Sequence, residues 1–189
     1  MAQTRPPLYM VTWRCTRRCV GNCVYCSYVS KFAKDGEVST ETGKKIVDEM
    51  YNFGAKWFGI SGGEPLVRED IFEVIHHAKV DLGMEVSLIT SGFAFDQKRL
   101  DNLAKYDVHT AVSIDGDKAS NDIVRGPGSY EKATYAMKKL GEKGLLDCVV
   151  TTMTKYNINV LEHTCQLANE YGAKNGSLPQ CCTSRKSKR

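Results

Sequence analysis

Three cysteines stand close together near the start of the chain: Cys19, Cys23 and Cys26. Their spacing, Cys19-x3-Cys23-x2-Cys26, places three thiols on one short segment. Thiolates are the usual ligands of iron–sulfur clusters, and a [4Fe–4S] cluster that only transfers electrons normally takes four of them. Three thiolates leave one iron of such a cluster open, and an open iron can bind a small molecule. The spacing therefore predicts a cluster with a free coordination position.

Two other interpretations of this cysteine-rich segment stay open. Cys15 lies four residues before Cys19 and could be a competing ligand, although a small buried residue at a strand end is the simpler role. Zinc is the second alternative, but zinc sites usually combine two cysteine pairs, or cysteines with histidines, some distance apart. No second Cys-x2-Cys pair follows in the sequence. His76 and His77 are adjacent on a predicted helix and so point to different faces.

Composition predicts one globular domain in the cytoplasm. The chain has 189 residues, of which 42% are hydrophobic and 25% charged. No apolar run approaches the roughly 18 residues that span a bilayer, and residues 1–7 have no signal-peptide core. Eight cysteines are many for a cytoplasmic chain, which favours metal or cluster binding over disulfides. The net charge of +4 comes largely from the tail, so it indicates little about the body of the protein.

Strand-like and helix-like segments alternate along the chain. The predicted strands are Leu8–Trp13, Trp57–Ile60, Glu85–Thr90, Thr110–Ile114 and Cys148–Met153. The predicted helices are one with apolar positions from Ile71 to Leu82 and four capped by Ser39 or Thr40, Asp96, Ser129 and Asn157. Alternation of this kind predicts a parallel sheet, because each crossover needs a helix. A complete eight-unit barrel takes about 250 residues, so we expect a partial (β/α) TIM-type barrel of about five units. A doubly wound sheet is the competing fold.

The alternating pattern stops after Gly172. We therefore expect a core domain over residues 1–175 and a basic, disordered tail over residues 176–189. No sixth strand is predicted near residue 175, because that stretch shows no alternation of apolar and polar residues. The abrupt change also suggests that the C-terminus is truncated or frameshifted.

Unusual residues follow the predicted strands at the edge where both candidate folds bind ligands. The cysteines follow the first strand, Ser61-Gly62-Gly63-Glu64-Pro65 the second, Ser91-Gly92 the third and Asp115-Gly116 the fourth. Glycines allow a close approach of the backbone, and a carboxylate complements an ammonium group. The strand ends therefore predict one shared binding site.

The cysteine spacing and the Gly-Gly-Glu segment resemble the radical S-adenosylmethionine (SAM) superfamily, over about residues 8–173. The resemblance implies that Cys19, Cys23 and Cys26 hold a [4Fe–4S] cluster whose open iron is chelated by the amine and carboxylate of SAM. It also gives SAM-binding roles to Tyr25, Gly62, Gly63, Glu64, Ser91, Ser113 and Arg125.

The resemblance implies a specific role for several of these residues. Tyr25 takes the aromatic position before the last cysteine, and Gly62 to Glu64 bind the methionine amine. Ser91 stands where the family commonly has asparagine, and a hydroxyl there can still contact ribose or substrate. Ser113 is a candidate contact to the methionine portion, and Arg125 is a candidate fork for the cofactor carboxylate. Asp115 is as readily interpreted as an ordinary turn residue.

The resemblance extends to a subset that includes cofactor-maturation, heme-biosynthesis and peptide-modifying enzymes. It implies reductive cleavage of SAM to a 5′-deoxyadenosyl radical, which abstracts hydrogen from a small-molecule or peptide substrate, such as a tetrapyrrole or a peptide. The electron would come from a donor such as flavodoxin or ferredoxin. The alternative is a non-catalytic cluster-binding protein or an inactive truncated fragment. Nucleic acid is not an expected partner, because the body lacks interleaved aromatic and basic residues.

Overall fold

The computed structural model describes residues 9–26 and 36–181, with side chains described up to residue 176. In this part of the chain, a single parallel sheet has the strand order β1-β2-β3-β4-β5-β6. The strands are β1 (Met10–Arg14), β2 (Trp57–Ser61), β3 (Glu85–Thr90), β4 (His109–Ser113), β5 (Leu146–Met153) and β6 (Ser177–Cys181). Each strand pairs with the next one along the chain, whereas a doubly wound sheet reverses its strand order. The predicted partial barrel is therefore confirmed.

Helices connect the strands and return the chain to the start of the next strand. They are α1 (Thr40–Asn52), α2 (Ile71–His76), α3 (Gln97–Lys105), α4 (Lys118–Arg125), α5 (Ser129–Glu142) and α6 (Leu161–Glu170). A π-helical segment, His77–Asp81, continues α2, and a short 3-10 turn, Pro65–Val67, precedes it. None of the described helices is both long and apolar enough to cross a membrane.

The main core lies between the helices and one face of the sheet. In β2, Phe58 and Ile60 point to this face and are fully buried. Apolar residues of α2 and α5, such as Val74 and Met137, complete the same core. The opposite face carries only a small apolar cluster of Ile89, Ala111, Cys148 and Val150. This second face is the concave side of the partial barrel, and at β1 it is exposed.

Two of the four predicted helix caps are confirmed, and two are wrong. The Ser39 side chain caps α1 by accepting from the amide of Thr42, and Asp96 caps α3 by accepting from Arg99. Ser129 is the first residue of α5 rather than its cap. Asn157 does not cap α6, which begins four residues later, because its side chain instead closes the preceding turn with Thr152 and Thr154.

The structure contains a helix, α4, and a strand, β6, that the sequence did not predict. The segment Lys118–Arg125, for which no helix was predicted, forms the helix α4. The expected absence of a sixth strand is wrong, because β6 pairs in parallel with β5 over Ser177–Cys181. This pairing uses backbone groups, so it does not require the side-chain alternation that the prediction looked for. Residues 182–189 of the expected tail lie outside the described residues.

Gly141 offers a test of the packing of α5 against the end of α6. A methyl group at this position would lie 2.1 Å from the carbonyl oxygen of Tyr171. Alanine is about 1 kcal/mol better than glycine within a helix, yet this overlap with backbone must displace one of the two elements. We therefore expect Gly141→Ala to lower the free energy of unfolding by about 1–3 kcal/mol in urea. Lys138→Ala, at an exposed position of the same helix, should leave stability nearly unchanged; equal stability of both variants would contradict the packing.

Candidate functional site

Nine of the ten residues predicted to bind the cluster or SAM line one cavity. The cavity lies at the carboxyl ends of the strands, where parallel α/β folds bind their ligands. The nine residues are Cys19, Cys23, Tyr25, Cys26, Gly62, Gly63, Ser91, Ser113 and Arg125. Only Glu64 lies outside the lining. Residues far apart in the chain are therefore gathered at one place by the topology of the sheet.

The three cysteines lie on one loop, residues 15–26, here called the cysteine loop. Their side chains are partly buried at the cavity wall. The amide of Gly21 donates to the Cys19 sulfur at 3.3 Å, a contact that favours a thiolate there. Burial raises the pKa of the Cys19 and Cys23 thiols, so both carry protons at neutral pH in the free protein. Binding of iron would release those protons.

Cys15 belongs to the core, as its simpler interpretation suggested. Its side chain is buried, it does not line the cavity, and burial raises the pKa of its thiol to about 12. Its backbone is fixed as well, since its amide donates to Ser61 and its carbonyl accepts from Arg68. A protonated, enclosed thiol is a poor metal ligand.

The donor set suits a cluster better than one ion. Within the described ranges, no group of three His, Cys, Asp or Glu side chains is arranged to hold a single metal ion. In a [4Fe–4S] cluster each thiolate binds a different iron, so its ligands need not converge on one point. Three cysteines spread along one cavity wall fit this requirement.

Gly62 and Gly63 let the cysteine loop approach β2 closely. The amide of Gly63 donates to the Thr16 carbonyl at 2.8 Å, and the amide of Glu64 donates to the Arg18 carbonyl at 2.8 Å. A methyl group on Gly62 would lie 2.5 Å from the Thr16 oxygen, and one on Gly63 would lie 2.2 Å from the Arg18 oxygen. The φ of +149° at Gly62 also disfavours any other residue. The glycines are therefore required by the cysteine loop itself.

Glu64 has hydrogen-bond partners within the chain that the sequence did not predict. This side chain is completely buried and does not line the cavity. One carboxylate oxygen accepts from the Thr90 hydroxyl at 2.8 Å and from the Leu66 amide at 3.3 Å. The other accepts from the Ser91 amide at 2.8 Å and from the Ser91 hydroxyl at 2.5 Å. Glu64 therefore joins the ends of β2 and β3 and orients Ser91, and its expected contact to the methionine amine stays a prediction.

Arg125 also has a partner that the sequence did not predict. Its Nε lies 2.6 Å from Oδ2 of Asp115 and its Nη2 lies 3.3 Å from Oδ1, so its fork holds a carboxylate of this chain. Burial alone would lower the pKa of Arg125, but attraction to Asp115 outweighs it and the pKa is raised. The guanidinium therefore stays charged, and it still forms part of the cavity wall. Two of its nitrogens are thus held by Asp115, and a contact from Arg125 to the cofactor carboxylate stays a prediction.

Asp115 is the site residue that the sequence analysis undervalued. It is completely buried, and besides Arg125 it accepts from the Tyr25 hydroxyl at 2.5 Å and from the Thr152 amide at 2.8 Å. A carboxylate at a strand end ten residues before an arginine was the available signal. The signal was weak because an aspartate before glycine is also an ordinary turn pattern.

Ser113 keeps the expected position at the end of β4. Its side chain lines the cavity, and the structure assigns its hydroxyl no hydrogen-bond partner among the described residues. The neighbouring walls are apolar at Ile89 and Val150, and polar at Thr152. Such a mixture suits a ligand that has both an apolar ring face and polar groups.

Comparison with known proteins agrees with this site. The family model described as Radical SAM superfamily matches residues 13–168. The AdoMet-dependent heme synthase of Methanosarcina barkeri is 33% identical over 177 residues, which cover 92% of this chain and 50% of that protein. The mycofactocin maturase MftC of Mycobacterium ulcerans is 34% identical over 167 residues, which cover 86% of this chain and 45% of that protein.

Solved structures show the same fold. SuiB of Streptococcus suis bound to S-adenosylmethionine superposes with a TM-score of 0.81 at 17% identity, over 96% of this chain and 42% of that one. The enzyme anSMEcpe with bound AdoMet gives a TM-score of 0.78 at 21% identity, over 97% of this chain and 55% of that one. The chain thus spans about half the length of the curated relatives it matches. On the extent of the family match and the identity to these relatives, the chain belongs to the radical SAM superfamily, whose members use a [4Fe–4S] cluster and SAM.

Proposed function

We propose that this chain is the cofactor-binding core of a radical SAM enzyme. The observation that supports this proposal is that three cysteines line the same cavity at the strand ends as Gly62, Gly63 and Ser113. When bound, the cluster and SAM supply a 5′-deoxyadenosyl radical, formed by one-electron cleavage of the sulfonium bond, that abstracts hydrogen from a substrate. The remaining steps concern how the chain binds and positions these groups.

Cys19, Cys23 and Cys26 are the proposed cluster ligands. Each would lose its thiol proton and bind one iron, which leaves the fourth iron without a protein ligand. Cys15 is excluded from this set by its burial and by the high pKa of its thiol. The proposed cluster would therefore keep one iron to which the amine and carboxylate of SAM can bind.

The methionine portion of SAM is proposed to lie along Gly62 and Gly63. These residues line the cavity, and the Gly63 amide and the Cα atoms of both glycines face the cysteine loop, so their carbonyls are the groups proposed to accept from an ammonium. The free hydroxyl of Ser113 and the oriented hydroxyl of Ser91 add polar contacts. Ile89 and Val150 offer an apolar surface for the adenine ring. Arg125 and Tyr25 close the wall beside the cysteines.

The substrate is proposed to be a small molecule or a peptide that reaches the cavity from the concave face of the sheet. The relatives point to both classes, since one is named a heme synthase and another a mycofactocin maturase. One SuiB structure is described as bound to the precursor peptide SuiA. The electron is proposed to come from a small carrier such as flavodoxin or ferredoxin. A reducing compartment such as the cytoplasm would keep the free thiols available for iron.

The direct test of this function is anaerobic reconstitution with iron and sulfide, followed by dithionite and SAM. We expect 5′-deoxyadenosine and methionine to form in equal amounts, measured by chromatography. Because SAM cleavage needs only the cluster and an electron, it should proceed without the natural substrate. A reconstituted protein that holds a cluster yet forms no 5′-deoxyadenosine would contradict the proposed function.

A pair of cysteine variants tests the ligand assignment. Cys23→Ala removes a thiol from the cavity wall, so the reconstituted protein should lose most of its bound iron and its broad visible absorption. Cys15→Ala is the matched control, because it removes a thiol from the same loop that faces the core. It should retain the cluster at a stability cost of about 1 kcal/mol. Loss of iron in Cys15→Ala, or full retention in Cys23→Ala, would show that the assignment is wrong.

A further inference from the structure

Asp115 connects four separate parts of the site although it does not line the cavity. Its carboxylate accepts from Tyr25 in the cysteine loop, from Arg125 at the end of α4 and from the amide of Thr152 at the end of β5. Asp115 itself follows β4, and its amide donates to the side chain of Asn121 at 2.8 Å. No part of the carboxylate is exposed. All of its acceptor capacity is therefore directed at neighbouring elements.

Tyr25 is the contact between Asp115 and the proposed cluster ligands. It lies between Cys23 and Cys26, and its hydroxyl donates to Oδ2 of Asp115 at 2.5 Å. Its ring lies beside the Arg125 guanidinium, with 5.8 Å from the ring centroid to Cζ. The next residue back, Val24, donates its amide to the carbonyl of Val124 in α4 at 2.8 Å. The second half of the cysteine loop is thus attached at two points to the β4–α4 unit.

The two halves of the cysteine loop are held by different elements. The first half pairs through Thr16 and Arg18 with Gly63 and Glu64 after β2. The second half depends on the Tyr25 hydroxyl and the Val24 amide. A loop that carries three ligands must keep them at a defined spacing, and groups that orient metal ligands tune the affinity of a site.

We propose that Asp115 is a positioning residue that holds Cys23 and Cys26 at their ligating spacing through the Tyr25 hydroxyl. This inference rests on the proposed function, since it assigns a role toward the cluster. The Arg125 fork holds Asp115 in place, so that the hydrogen bond from Tyr25 is made to a buried, oriented side chain. Asp115 therefore controls how long the cluster is retained without contacting the cluster or SAM.

The test compares cluster loss from the reconstituted wild-type chain and from Tyr25→Phe. Each protein is mixed anaerobically with excess chelator, and iron release is followed through the visible absorbance. Tyr25→Phe removes only the hydroxyl and leaves Asp115 with Arg125 and Thr152. A hydrogen bond to a charged group changes an equilibrium constant by about one to two factors of ten. We therefore expect the rate of iron release to increase about tenfold.

Two control variants separate positioning from general stability. Val24→Ala shortens an exposed side chain of the same loop and keeps the backbone bond to Val124, so it should release iron at the wild-type rate. Gly141→Ala weakens the fold away from the site and should also release iron at the wild-type rate. Acceleration in Tyr25→Phe that matches the Gly141→Ala rate would reflect stability alone and would overturn the inference.

The Asp115→Asn variant, once circular dichroism shows that it is folded, provides an independent check. This variant leaves Arg125 without its buried counter-charge, so Tyr25→Phe remains the primary test. In the Asp115→Asn background, adding Tyr25→Phe should accelerate release by less than it does in the wild-type chain, because the amide oxygen of asparagine is a weaker acceptor for the Tyr25 hydroxyl than a carboxylate. Additive effects, or equal release by Tyr25→Phe and wild type, would refute the positioning role. A wild-type chain that takes up no cluster would instead refute the proposed function.

Discussion

The close approach of the cysteine loop to the backbone of Gly62 and Gly63 is the constraint on which the site depends. The loop has little core of its own, and its first half is fixed by amides that donate from the end of β2. Any side chain at these glycines would overlap with loop carbonyl oxygens. The Gly-Gly pair thus serves first to seat the cysteines, and the same geometry leaves its carbonyls as candidate ligand contacts.

Buried acidic side chains at the strand ends join the elements that form the walls of the site. Glu64 bridges β2 and β3 through Thr90 and Ser91, while Asp115 bridges β4, α4 and β5. Burying a carboxylate is costly unless its oxygens are hydrogen-bonded, and both residues meet that condition. In the proposed function, cysteines, backbone groups and hydroxyls therefore make the direct contacts to the cluster and SAM. Fixed walls of this kind reduce the reorganisation that ligand binding would otherwise require.

Sequence reasoning predicted what depends on local pattern and missed what depends on distant partners. Strand positions, the caps Ser39 and Asp96 and the gathering of nine site residues follow from alternation, capping chemistry and the strand-end rule. The strand β6 was missed because backbone pairing with β5 needs no alternation. The partners of Glu64 and Arg125 were not predicted, because Thr90 and Asp115 come close to them only through the fold and no sequence motif links either pair.

In the proposed function, three thiolates leave one iron of a [4Fe–4S] cluster open to SAM. The most direct measurement is the electron paramagnetic resonance spectrum of the dithionite-reduced, reconstituted chain, recorded with and without SAM. Binding at the open iron changes the electronic structure of the cluster, so we predict that SAM shifts the g-values of the reduced signal. An identical spectrum with saturating SAM, in a chain that carries the full cluster, would contradict the account.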